Sequence, residues 1–200
     1  VTTERESDQL LVDRAKEGER QAFDLLVAKY QRRLLRLLAR IVHDPVEAED
    51  VVQETFIKAY RALRHFRGDS AFYTWLYRIG VNTAKNHLAG QNRRTPTSTG
   101  TDAEQAEGQE HGEQLHDIST PESMLATKQI AQTVNAAIDA LPVDLRTAIV
   151  LREIEGLSYE EIADIMACPI GTVRSRIFRA REVVAEKLKP LLERAADRRW

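Results

Sequence analysis

The sequence predicts an all-α protein of two small helical domains, residues 1–94 and 120–200, joined by a flexible acidic linker over 95–119. Three observations carry that prediction. Apolar residues recur at three- and four-residue intervals in both flanks, and no run alternates apolar with polar residues as a half-buried strand would. Between Thr95 and Thr127 there is no Lys or Arg, while Asp102, Glu104, Glu107, Glu110, Glu113, Asp117 and Glu122 crowd carboxylates into a stretch rich in Gly, Ser, Thr and Gln. Such a segment cannot bury enough apolar surface to order itself. Near the C-terminus a short helix, a tight turn and a basic helix follow one another.

In the N-terminal half, Phe23, Leu26, Val27, Tyr30, Leu34, Leu37, Leu38 and Ile41 form one helical stripe. Asp44-Pro45 ends that helix and opens the next, with Asp44 as N-cap, Pro45 at the first helical position and Glu47 placed to complete a capping box. That helix is predicted to run to about Leu63, with Val52, Phe56, Ala59, Tyr60 and Leu63 facing the core. A loop over His65 to Asp69, turned at Gly68, leads to a fourth helix capped by Ser70.

Beyond the linker, Thr120-Pro121 starts a helix whose stripe is Ile130, Val134, Ala137, Ile138 and Leu141, and Pro142 ends it. The next helix reaches Gly156, and Ser158 with Glu161 makes the capping box of a short third. After Ala167-Cys168-Pro169, Gly171-Thr172 begins a long final helix running through Arg181 toward Leu188.

Composition bounds what such a chain can do. With 200 residues, 42% hydrophobic and 30% charged, it can form modest globular cores and is neither fibrous nor wholly disordered. No apolar stretch approaches the roughly 20 residues of a membrane span, and Val1 to Leu10 is polar rather than signal-like, so a cytoplasmic location is expected. Cys168 is the single cysteine, which excludes an internal disulfide and a cysteine-based metal site. Without the seven carboxylates of the acidic stretch, 29 basic residues face 24 acidic ones, which leaves five net positive charges on the remainder. There is no Walker loop, metal-spaced His pair or paired nucleophile and base, so neither a catalytic site nor a cofactor is expected. His111 and His116, in the linker, read as solvated, and Cys168 as a small buried apolar residue.

Three surfaces are candidates for binding. Opposite the core stripe of the helix after Asp44 lie Asp50, Gln53, Glu54, Ile57 and Arg61. An outward Ile57 ringed by acids and an amide fits a protein-binding face, and also the scattered exposed apolars of any surface; the pattern leaves both open. The segment Phe66 to Arg78 sets five aromatics beside basic residues, a composition that stacks on unpaired bases and follows phosphates. Phe72, Trp75, Leu76 and Ile79 share a face and read as core, leaving Tyr77, Arg78, Val81, Asn82 and Lys85 as the exposed candidates. On the final helix Val173, Ile177, Ala180 and Val184 share the packing face. Arg174, Ser175, Phe178 and Arg179 fall opposite, where arginine can bond guanine and an apolar ring can meet a thymine methyl. Arg176 and Arg181 lie at the margins, within reach of phosphate or of a carboxylate on their own domain.

The blocks Asp50 to Arg61, Phe66 to Asn86 and Gly156 to Arg181 together resemble the extracytoplasmic-function sigma factors of the sigma-70 family, most closely the sigma-E group. The resemblance implies sigma region 2 over 1–94 and sigma region 4 over 120–200. It implies an alternative sigma factor that binds core RNA polymerase and directs initiation at an envelope or extracytoplasmic stress regulon. Asp50, Gln53, Glu54 and Ile57 would grip polymerase. Arg67, Asp69, Ser70, Tyr77, Arg78, Asn82 and Lys85 would open and hold the single-stranded minus-ten element of promoter DNA, with Asn82 and the Arg67 to Ser70 loop at a flipped-base pocket. Thr172, Arg174, Ser175, Phe178 and Arg179 would read the duplex minus-thirty-five element. The linker would thread toward the polymerase active-site cleft, and a membrane-bound anti-sigma factor would be the inhibitor. The competing readings are a dimeric helix-turn-helix regulator with no polymerase grip and a nucleic-acid enzyme.

Overall fold

A computed structural model describes residues 2–94 and 121–197. The expected linker at 95–119, with His111 and His116, lies outside them. Every regular element among the described residues is helical: α1 (Thr2–Lys16), α2 (Arg20–Val42), α3 (Pro45–Ala62), a 3₁₀ turn (Leu63–His65) and α4 (Phe72–Arg94), then α5 (Pro121–Asp139), α6 (Val143–Glu153), α7 (Tyr159–Met166) and α8 (Ile170–Asp197).

The centre of the N-terminal unit is α2, packed against α3 and α4, with α1 across its start. Leu26, Tyr30, Leu34, Leu37, Leu38 and Ile41 are all buried. Burying one such leucine contributes about 1.5–3 kcal/mol. Gly80 lets α4 approach closely: a Cβ there would lie 3.0 Å from Leu34 Cδ1. Buried Asp8 ties α1 to α2 by accepting hydrogen bonds from Lys29 Nζ at 2.6 Å and from the Tyr30 hydroxyl.

Asp44 caps α3 as expected, accepting from Val46 N at 2.8 Å and Glu47 N at 3.1 Å. The reciprocal half of that box is absent, because the Glu47 carboxylate turns to α4, 3.3 Å from His87 Nε2 and bonded to Gln91. Ser70 does not cap α4 either: Ala71 precedes the helix and takes its first backbone bond, from Trp75 N at 3.2 Å. Gly68 makes the preceding turn at φ 80°, and Phe66, Phe72 and Trp75 close under it with ring centroids 5.0–6.1 Å apart. Tyr60 departs from its expected place. It sits at the open edge of α3, 45% exposed, with its ring edge-on to Phe23.

In the C-terminal unit Ser158 and Glu161 form the complete capping box of α7. Ala167 ends that helix in the left-handed region at φ 49°. The next helix starts slightly earlier than expected, at Ile170, and continues through Pro190 to Asp197. Val173, Ile177 and Ala180 are buried in one cluster with Ile162, Ile165 and Met166. The two units meet where α4 lies against α7 and α2 against α6.

Candidate nucleic-acid and polymerase interfaces

The packing leaves three separate surfaces outward. On α3, Asp50, Gln53, Glu54, Ile57 and Arg61 are exposed, and Ile57 shows 52% of its surface. Glu54 pairs along the helix with Lys58 at 2.8 Å, a contact worth a few tenths of a kcal/mol. Val46 extends the stripe one turn further and is 71% exposed. Sequence reasoning missed it, although its spacing four residues before Asp50 signals the same face.

The second surface is the outer side of α4 with the loop before it. Arg78 and Asn82 are exposed one turn apart. Tyr77 and Val81, expected to be exposed, are buried at 1% and 0%. Val81 turns into the core cluster. Tyr77 belongs to the same cluster, its ring edge-on to Tyr73 at 6.2 Å, while its hydroxyl donates to Glu155 Oε2 of the other unit at 3.0 Å. Burial, then the Glu155 carboxylate, pushes the Tyr77 phenol up, against the opposing pull of Arg33 and Arg36. Lys85 is partly covered, with Nζ 2.7 Å from Asp144 Oδ1. In the loop, Arg67 and Asp69 pair at 3.4 Å while both remain exposed, an interaction of little strength, and Ser70 is half-buried. Beside them Glu6, Gln9, Gly68, Asp69, Ser70 and Phe72 line a cleft of about 290 Å³.

The third surface lies on α8. Arg174, Ser175, Phe178 and Arg179 all point outward, with Phe178 63% exposed, and Thr172 is half-buried at the start of the helix. Ser175 Oγ donates to the Thr172 carbonyl at 2.9 Å. Arg174 sits over the Tyr159 ring at 5.7 Å, and Arg152 sits 4.8 Å from the same ring. Tyr159 therefore helps to hold Arg174 in position, a role sequence reasoning did not find. Arg176 takes the carboxylate alternative expected for it, with Nη2 2.7 Å from Asp144 Oδ2 and Nη1 3.4 Å from Cys168 Sγ. Arg181 likewise pairs with Glu153 at 2.6 Å. Asp144 thus serves two cations, and the Lys85 hydrogen bond, with help from Arg176, holds its carboxyl below the usual range despite partial burial.

Among the described residues no helix is long and apolar enough to cross a membrane, and no group of three His, Cys, Asp or Glu side chains could hold a metal ion. Residues 26–94 match the family described as Sigma-70 region 2, and residues 131–183 match Sigma-70, region 4. The chain is 60% identical to the RNA polymerase sigma-H factor of Pseudomonas aeruginosa, over 96% of this chain and 98% of that one. It is 56% identical to the ECF RNA polymerase sigma-E factor of Escherichia coli K12, over 96% and 100%. Its fold is similar to that of CnrH in complex with the cytosolic domain of CnrY, with a TM-score of 0.64 at 27% identity, covering 92% of this chain and 98% of that one. It is also similar to the sigma factor RpoE in complex with the anti-sigma factor NepR from Bartonella quintana, with a TM-score of 0.64 at 29% identity over 84% and 96%. Two region matches in order, and relatives aligned along nearly the whole length, place this chain in the sigma-70 family, among its extracytoplasmic-function members.

Proposed function

We propose that this chain is an alternative sigma factor whose three outward surfaces divide the work of initiation, and that it serves a regulon of extracytoplasmic stress. The observation that carries the reading is their separation: a mixed acidic and apolar stripe on α3, a polar and basic side of α4 beside a cleft, and a basic face with an exposed ring on α8. The α3 stripe from Val46 through Asp50, Gln53 and Glu54 to Ile57 binds core polymerase, its exposed apolar residues supplying burial and its acids the register. On α4, Arg78 and Lys85 follow phosphates and the Asn82 amide reads the edge of an unpaired base, while the cleft beside Asp69 and Ser70 receives a flipped base. On α8, Arg174 and Arg179 bond guanine or the nearest phosphates and Phe178 meets a thymine methyl. The first domain spans residues 1–94 and the second 120–200.

No covalent step is assigned to the chain. Binding free energy selects the sequence and holds the opened strand, and polymerase makes the RNA. An anti-sigma factor is the fitting inhibitor, since the structurally similar sigma factor RpoE is held in a complex with the anti-sigma factor NepR. Run-off transcription with purified core polymerase and genomic DNA tests the reading. Start sites that appear only when the chain is added support it, and an unchanged transcript pattern refutes it.

A further inference from the structure

We propose that Arg61 and Arg64, with the Tyr60 ring beside them, form a second contact for single-stranded DNA, one that carries the opened strand past the cleft at Gly68. From Thr55 to Gly68 the chain has no Asp or Glu, and Lys58, Arg61, Arg64 and Arg67 recur at every third residue. Arg61 follows Ile57 by four residues and Arg64 follows Arg61 by three, so both continue the outward stripe of α3 into the 3₁₀ turn. Arg61, Arg64, His65 and Arg67 are all exposed. The outer cations of the run are paired, Lys58 with Glu54 at 2.8 Å and Arg67 with Asp69 at 3.4 Å. Between them, Arg61 and Arg64 have no carboxylate partner among the described residues.

The stripe therefore changes chemistry along its length. From Asp50 to Ile57 it offers acids, an amide and an exposed apolar side chain, which suit a protein groove; beyond Ile57 it offers uncompensated positive charge, which suits a polyanion. Continuity with the cleft identifies the polyanion as the opened strand. Arg64 stands four residues before Gly68, at most about 14 Å of extended chain, and Gly68 lines the cleft. Lys16 of α1 fixes the connecting turn, donating to the Phe66 carbonyl and lying 5.6 Å from the Phe66 ring. Tyr60 is 45% exposed and leans edge-on against Phe23, one helical turn before Arg64. A ring beside guanidinium groups fits an unpaired base and its phosphate, whereas duplex DNA would keep the face of that base hidden.

The lengths agree with one continuous track. From Asn82 to Phe72 the strand would run about 15 Å along α4 at 1.5 Å per residue. From Gly68 back to Arg61 adds at most about 19 Å, four residues of extended chain and three of helix. At roughly 3.4 Å per stacked nucleotide, the whole track holds about 10 nucleotides. The inference rests on assigning the outer side of α4 and the cleft to single-stranded DNA.

The test uses the full chain and the double variant Arg61→Gln, Arg64→Gln, which removes both charges and keeps good helix formers. The probe is a labelled single strand of random sequence, about 12 nucleotides long, titrated by fluorescence anisotropy at several salt concentrations. Each phosphate contact on a single strand contributes about 0.7 to the salt slope, so the double variant should lower the slope by about 1.4 and bind about threefold to tenfold more weakly at 0.1 M salt. The pair Arg61→Lys, Arg64→Lys keeps the charges and should keep the wild-type slope; a loss as large as that of the glutamine pair would mean a structural role and overturn the proposal. Arg64→Gln alone should remove about half of the effect, and gives the reading if the double variant loses helicity. An unchanged slope in the glutamine variants overturns the proposal, and a fall in core-polymerase affinity with that unchanged slope would assign the two arginines to polymerase instead. Arg78→Gln separates the reading beneath: if it leaves binding untouched while the Arg61 and Arg64 pair lowers the slope, the α4 assignment falls and the second contact stands.

Discussion

Replacing Arg176 with alanine should weaken the C-terminal unit and leave its base preference unchanged, while Arg174→Ala or Arg179→Ala should do the reverse. Arg176 is three-quarters buried, with its guanidinium 2.7 Å from Asp144 and 3.4 Å from the Cys168 sulfur. An exposed pair contributes about 0.2–1 kcal/mol, and partial burial moves this one toward the upper end. Asp144 keeps Lys85 as a second partner, which limits the loss. A cost of about 1 kcal/mol lowers the melting temperature of a unit this size by roughly 4–8 °C. Arg174 and Arg179 make no such internal ion pair and point outward beside Phe178. A bidentate contact to guanine discriminates by about 1–3 kcal/mol, concentrated at one or two positions. A phosphate contact instead weakens all sequences alike and lowers the salt slope by about one. The assay is binding of each variant to a panel of single-base promoter mutants at two salt concentrations, with thermal melts alongside. A changed base preference for Arg176→Ala, with Arg174→Ala and Arg179→Ala unchanged, would mean that α8 enters the groove by another face, and the assignment would fall.

Asp50→Ala, or the reversal Glu54→Lys, should reduce core-polymerase affinity severalfold with helicity intact, because both side chains are exposed away from the α2 packing face; unchanged affinity in a pull-down titration would count against the α3 assignment. Asn82→Ala should lower open-complex formation and affinity for the single-stranded minus-ten element together, and a loss confined to duplex binding would contradict it. Acid should loosen the contact near His43: burial, then Arg146, lowers its pKa, and Asp139 only partly offsets them. Since the folded-state value lies below the ordinary one of about 6.5, this stability is present above that value and is lost as pH falls through the depressed pKa. The melting temperature should therefore drop on going from about pH 7.5 to about pH 5.5, and His43→Gln should remove part of the drop. An identical drop in the variant would exclude His43 as a source.

Most of the helices were legible because their signals are local. Asp44 and Ser158 announce helix starts through the bonds their side chains make to nearby backbone, and the α2 stripe from Phe23 to Ile41 needs only its period. Tyr77 was misplaced for the opposite reason. Its ring joins the core cluster on the same face as Val81, and its hydroxyl meets Glu155, far along the chain in the other unit. Glu47 lost its capping role to a similar long-range competitor, the His87 and Gln91 side chains of α4. Tyr60 follows the α3 core spacing and still emerges, because no element covers that edge beyond Phe23. The outward face of α8 was read correctly, since Val173, Ile177 and Ala180 fix the opposite side. Tyr159 under Arg174 could not be seen without knowing how α7 and α8 cross.

We propose that one chain grips polymerase, reads a duplex element with α8 and holds an opened strand beside α4. Permanganate probing of a target promoter is the decisive experiment, since thymines react only where strands have separated. Reactive thymines are expected in the downstream element with core polymerase and the chain together, none with either alone, and they should be lost in Asn82→Ala with upstream protection retained. A palindromic footprint made by the chain without polymerase, and no reactive thymines when polymerase is added, would contradict it.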